Sequence, residues 1–146
     1  MPPSATEAAA PLLRLAVPNE LAALEAARLQ VLASIDDLGL PPRLVYQLEL
    51  VLEETLMNRL WHAFPAGGRH CTDVELRLTP DALVLQFEDD GIAFDPLQHP
   101  PRKALTALDE AEPGGFGLLL TRKAARACRY DRIGNRNHFT VDLARA

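Results

Sequence analysis

The stretch Arg43–Phe64, RLVYQLELVLEETLMNRLWHAF, contains neither glycine nor proline and follows Pro41-Pro42. Proline is tolerated in a first helical turn, where its missing N–H has no intrahelical partner, and is excluded from later turns. The stretch therefore predicts one long helix, with Val45, Leu48, Leu52, Leu56, Leu60 and Ala63 recurring at helical spacing as its buried stripe. Glu54 and Asn58 lie one turn apart within it, so they share a helix face, away from that stripe. A carboxylate can take a proton from a hydroxyl nucleophile or water. An amide oxygen is a neutral hard ligand that suits magnesium already carrying phosphates and waters. Alone, a Glu/Asn pair at this spacing is more often a solvated helix face.

Upstream, Leu12–Val17 reads as a strand, and Asn19 after Pro18 as the N-cap of a helix that runs to Gly39. The residues before it, MPPSATEAAAP (1–11), give little to bury and are expected to form a flexible tail, with one domain over 12–146. Downstream, Asp73–Leu78 and Leu83–Phe87 alternate as strands around a Thr79-Pro80-Asp81 hairpin turn. From Gly91 to Gly115 the chain is rich in proline and charge and weak in periodicity, which suggests a functional loop or lid. Gly117–Ala127 is helical again, and Arg129–Arg132 and His138–Leu143 predict closing strands around a Gly134-Asn135 turn. Early helices and hairpin-paired strands favour an α+β two-layer sandwich.

Two further segments carry chemistry. In FEDDGIAFD (87–95) a strand runs into an acidic turn; an Asp at a strand end can accept from an exocyclic amine such as adenine's, and glycine lets a flat ring approach the backbone. Read alone, it is also an ordinary Asp-Gly turn. In GGFGL (114–118), glycines before a helix let the backbone wrap a phosphate, and the helix N-terminus offers free N–H groups. It lacks the lysine of a Walker loop and does not match Gly-x-Gly-x-x-Gly.

The totals narrow the function classes. The 146 residues, 48% hydrophobic, suit a single ordinary domain. Fifteen basic against 20 acidic residues leave a net charge of −5, the wrong sign for neutralising a nucleic-acid backbone. Without a basic, apolar leader or an apolar run of about 20 residues, neither secretion nor a membrane is expected, and the chain reads as cytoplasmic. Cys71 and Cys128 match no zinc or Cys-x-x-Cys spacing and are expected as small buried apolar groups. His70, His99 and His138 show no metal-ligand spacing, and Trp61 reads as helix packing.

Taken in order, LVLEETLMNRLWHAF (50–64), EDDGIAFDP (88–96) and GGFGLLLTRKAARACRYDRIGNRNHFTVDL (114–143) resemble the N box and glycine boxes of the Bergerat-fold (GHKL) ATPases. Among those, the likeness is to the anti-sigma-factor serine/threonine kinases, and it extends from Leu12 to Leu143. It implies a sandwich with a mixed, mostly antiparallel sheet, helices on one face, and nucleotide between the helices and the lid. ATP and Mg2+ are the implied cofactors. By position, Glu54 matches the catalytic base, Asn58 the magnesium ligand and Asp89 the adenine-binding aspartate. Gly91 matches the adjoining glycine, Gly115 and Gly117 the phosphate-cradling pair, and Thr140 the strand threonine that holds adenine through water. His62 also matches a common residue and is given no role.

Three departures stand out. Ala93 replaces the second glycine of the adenine turn, Arg59 follows Asn58 where a small residue is usual, and Arg102-Lys103 in the lid has no fixed counterpart. Arg59 is expected to crowd the helix or to reach a phosphate. The implied function is phosphorylation of a STAS-domain anti-anti-sigma protein in bacterial partner switching, with a sigma factor or other regulator as second partner and a homodimer through the first strand and helix. The alternative is a non-catalytic module that holds nucleotide structurally, or has lost it, and sequesters a regulator. A histidine-kinase ATPase half is disfavoured, because no dimerisation helix pair with a phospho-accepting histidine precedes the fold.

Overall fold

A computed structural model describes residues 10–64, 68–97 and 125–146. Strand β1 (Pro11–Pro18) leads into helix α1 (Leu21–Ile35) and then α2 (Pro42–Asn58), which continues as a π-helical turn over Arg59–Ala63. Strands β2 (Cys71–Leu78), β3 (Ala82–Asp89), β4 (Ala127–Ile133) and β5 (Arg136–Ala144) follow.

The five strands form one sheet in the order β1-β2-β3-β5-β4, and each pairing is antiparallel. Side chains alternate across a strand, so the register sorts residues into rows on two faces. One face carries Leu15–Val74–Phe87–Phe139–Tyr130 and, next to it, Leu13–Leu76–Leu85–Val141–Cys128. These rows form one core with Ala27, Val31 and Ile35 of α1 and Leu44, Leu48, Val51, Leu52 and Leu56 of α2. The other face carries Arg14–Glu75–Gln86–Thr140–Arg129 and Ala16–Asp73–Glu88–His138–Asp131. The expected two-layer α+β sandwich with helices on one face is what folds, but the sheet, expected as mixed and mostly antiparallel, is antiparallel at every pairing among the described strands.

Local signals account for most boundaries. Thr79 closes the β2–β3 hairpin: its N–H donates to Ala82 O at 2.8 Å and its hydroxyl accepts from Ala82 N–H at 3.0 Å. Gly39 and Gly134 adopt φ of 63° and 61°, a left-handed backbone that glycine enters without a Cβ penalty; they end the α1 turn and make the β4–β5 hairpin.

Several expectations shift. Glu20, not Asn19, occupies the N-cap of α1, in extended backbone one residue later than expected, and Asn19 N–H donates to His70 O at 2.9 Å, tying the helix entry to the start of β2. The buried stripe of α2 is rotated from the predicted one: Leu44 and Val51 are fully buried while Val45 and Leu60 are half-buried. Leu60 sits in the π turn, where the wider i→i+5 winding breaks the 3.6-residue period. Of the predicted helix Gly117–Ala127, only the end lies among the described residues; there Ala127 already opens β4. Cys71 is exposed and Cys128 half-buried, since Cys71 sits at the outset of β2 beyond the core. Trp61 is 55% exposed and so contributes little to packing.

Candidate functional site

The rows of the helix-covered face end in polar residues. Beyond Phe87–Phe139–Tyr130 the next row is Asp89–Asn137–Arg132, still on the inner side of the sheet but past the apolar core. Asp89 and Asn137 are completely buried. Such groups must be hydrogen-bonded or they cost heavily. Asp89 Oδ1 accepts from Gly91 N–H and from Asn137 Nδ2, each at 2.9 Å. The second Asn137 amide hydrogen goes to Ile92 O at 2.8 Å, and Asn137 Oδ1 accepts from the Tyr130 hydroxyl and from Phe94 N–H. Arg132 donates to Gly91 O at 2.7 Å. The turn after β3 is thus fixed from β4 and β5 before any ligand is considered.

Its other side rests on the end of α2. Ile92 N–H donates to Ala63 O at 2.9 Å. A Cβ added at Gly91 would stand 2.5 Å from that same carbonyl oxygen and 2.8 Å from the Ala63 methyl. Glycine is therefore required at 91 for the close approach of turn to helix, not for an unusual φ. Ala93, the departure from the double-glycine pattern, is exposed, and no described non-glycine residue has positive φ, so its methyl strains nothing.

On α2, Glu54 and Asn58 are 9% and 5% exposed, with Thr55 between them at 5%. The solvated-face alternative does not hold, and neither does the expectation that the pair points away from the buried side. Glu53 is the exposed member of the acidic pair. A buried carboxylate beside a buried amide at the end of a helix, next to an acidic turn, is a donor set of hard oxygens that fits a magnesium ion bound with phosphates.

Arg59 contributes what sequence reasoning did not foresee. It neither crowds the helix nor extends outward: it is 1% exposed, and its Nε lies 2.7 Å from Asp89 Oδ2. Its guanidinium carbon stands 5.7 Å from the centre of the Phe94 ring, on which His62 also stacks at 5.6 Å. Burial pushes the Arg59 pKa below its usual value, opposed by the nearby Asp89 carboxylate and Tyr130, and the guanidinium stays charged. The pair is close but poorly aligned. Among the described residues neither Asp89 Oδ2 nor any Arg59 nitrogen has a well-formed hydrogen bond. A buried acceptor left in that condition at a strand end fits the amine of a base.

The structure thus brings Asp89 and Gly91 against the end of α2, the helix that buries Glu54 and Asn58. It does not bring Thr140 to them: Phe139 and Val141 face the core, so Thr140 lies on the opposite face of the sheet, level with Gln86. The β5 residue at the cluster is Asn137, and its signal was present in the sequence as the first member of the alternating set Asn137, Phe139, Val141, Leu143. Gly115, Gly117, Arg102 and Lys103 lie outside the described residues. No helix among the described residues is long and apolar enough to cross a membrane.

Comparison with known proteins bears on the family and the fold. Residues 17–143 match the model of the histidine kinase-like ATPase domain. Over 99 residues the chain is 37% identical to the serine/threonine-protein kinase BtrW of Bordetella bronchiseptica, covering 68% of this chain and 70% of that protein. The fold is similar to a Mycobacterium tuberculosis structure of RsbU and RsbW domains, with TM-score 0.62 at 13% identity over 92% of this chain; this chain spans 33% of that one. It also resembles a blue-light activated histidine kinase domain of Erythrobacter litoralis, with TM-score 0.54 at 18% identity, over 99% of this chain and 66% of that one. On the extent of the domain match and the identity to a protein kinase, the chain belongs to the histidine kinase-like ATPase domain family, the GHKL fold of the anti-sigma-factor serine/threonine kinases.

Proposed function

We propose that the chain is a serine/threonine protein kinase that binds Mg-ATP and phosphorylates a STAS-type anti-anti-sigma protein in a bacterial partner-switching pathway. The observation that carries this reading is the burial of Glu54 and Asn58 on α2, whose end meets, through Arg59, a strand-end aspartate with no aligned donor on Oδ2. The identity to a serine/threonine-protein kinase supports the choice of reaction.

In this reading Asp89 Oδ2 would accept from the adenine amine, while Gly91 N–H and Asn137, itself held by the Tyr130 hydroxyl, fix the carboxylate through Oδ1. Asn58 would hold the metal through its amide oxygen. Glu54 would draw the proton from the attacking hydroxyl of the partner protein. Gly115 and Gly117 would cradle the phosphates. Mg-ATP supplies the phosphoryl group and the neutralising charge, in a transfer that relies largely on positioning. Thr140 has no part, since it lies on the other face of the sheet. The partners proposed are the STAS protein and a sigma factor or other regulator, and the chain is proposed to act in the cytoplasm as a single domain over 12–146.

A second reading, a module that regulates by sequestration without catalysis, is favoured by one observation: Arg59 already pairs with the carboxylate that would read the base. Labelled ATP and a cognate STAS protein separate the two. Label on a serine or threonine of the STAS protein, lost in Glu54→Gln, is expected of a kinase. Stable complex formation without label transfer would leave the sequestering module.

A further inference from the structure

Asp89 has two carboxylate oxygens and they are in different states. Oδ1 is committed to Gly91 N–H and Asn137, contacts internal to the fold. Oδ2 faces Arg59 Nε at 2.7 Å, with both side chains buried, at 2% and 0% exposed. A guanidinium carries donors only, and an amino group on a base is likewise a donor. Both planar groups seek the same buried oxygen.

We propose that Arg59 and the nucleotide base compete for Asp89 Oδ2, so that Arg59 sets nucleotide affinity and the base enters only as the guanidinium leaves the carboxylate. This deepens the nucleotide reading of the preceding subsection and rests on it.

The Arg59 contact is suited to exchange. A charged pair gains most when its hydrogen bonds are aligned, and here neither Asp89 Oδ2 nor Arg59 Nε, Nη1 or Nη2 forms an aligned bond among the described residues. Moving outward, the guanidinium recovers hydration for every donor, while the incoming amine supplies the missing partner of Oδ2. Arg59 also starts the π-helical turn, directly after Asn58. Such turns leave the regular i→i+4 ladder and recur at functional sites. One short segment thereby carries the proposed metal-side amide and the base-side guanidinium, and the exit of one side chain can be felt at the other.

The test is isothermal titration of the full chain with adenosine and, separately, with ATP, for the unsubstituted protein, Arg59→Met and Arg59→Lys. Arg59→Met is expected to tighten adenosine and ATP by the same factor, about tenfold or more, as follows if the open pocket is at most about a tenth populated before substitution. Arg59→Lys should fall between the two. Unchanged affinity overturns the competition, and weaker binding of ATP but not of adenosine would make Arg59 a phosphate contact instead. Should Arg59→Met not fold, the Arg59 Nε–Hε signal of the unsubstituted chain decides: it is expected to shift on saturation with ATP, and a signal that stays put overturns the proposal. If no form binds adenosine or ATP, the nucleotide reading falls as a whole; if all bind alike, only the competition does.

Discussion

The sheet carries charged pairs on both faces, and the two sets are built from the same residue types. On the open face Arg14 and Arg77 meet Glu75 at 2.7 and 2.9 Å, and Arg136 bridges Glu88 and Asp73. On the helix-covered face Arg59 meets Asp89, also at 2.7 Å. Distance does not separate them; water does. Arg14 is 67% exposed and Arg136 35%, with Arg77 the least exposed of the open-face set at 13%, whereas Arg59 and Asp89 are sealed. Charges on the open face gain little from pairing because solvent already satisfies and screens them. Charges on the covered face have lost that solvation, so each depends on the other, and a ligand able to replace one partner can be bound at modest net cost.

Removing one partner on the covered face is the most severe way to break this contrast. Asp89→Ala leaves the Arg59 guanidinium buried without its carboxylate, and a loss of about 3–5 kcal/mol is expected in urea unfolding. A loss on the scale of surface pairs would mean that the covered site is wetter than its burial indicates.

A smaller effect is expected where the turn meets the helix. Gly91→Ala places a methyl 2.5 Å from the Ala63 carbonyl oxygen, and that neighbour is backbone, which cannot swing aside. Overpacking of this kind costs roughly 1–3 kcal/mol. The Ile92 amide, bonded to the same oxygen, should exchange its hydrogen faster in the variant. A stable variant with unchanged Ile92 protection would show that the contact yields without opening.

On the open face, Arg136→Ala removes a guanidinium shared by two carboxylates, and about 1 kcal/mol or less is expected, shrinking further as salt is raised. Comparing the unfolding midpoints of Arg136→Ala and Asp89→Ala at low and high salt sharpens the difference between the faces. The first should converge on the unsubstituted protein and the second should not.

The same contrast explains what the sequence made legible. Helix α2, the hairpin strands and the turn glycines follow from periodicity and backbone chemistry, which act locally. Glu54, Asn58, Asp89 and Gly91 stand out by motif, and Asp89 and Gly91 do meet the end of the helix that buries Glu54 and Asn58. Arg59 was visible only as a departure, because its partner lies on β3, thirty positions along the chain, and no local rule links a helix end to a strand end. Asn137 was overlooked for a different reason. Within the closing strand attention fell on the threonine, while which residues face inward is fixed by register against β3, and a one-residue difference in reading reverses the face of every side chain.

Thr140 is where that reversal is tested with the smallest expected effect. Asn137, Phe139 and Val141 are buried on the helix side, so the intervening Thr140 belongs with Gln86 and Glu75 on the open face. Thr140→Val keeps the branched shape that favours a strand and removes only the hydroxyl. Stability should change by no more than about 0.5 kcal/mol. Titration with ATP should give the affinity of the unsubstituted chain, because the sheet itself separates this hydroxyl from Asp89. Asn137→Ala, three residues away on the same strand and on the other face, should weaken ATP binding, since it frees the carboxylate and the turn together. A loss of affinity in Thr140→Val with none in Asn137→Ala would place the base on the open side of the sheet, and the division between the two faces would have to be drawn the other way.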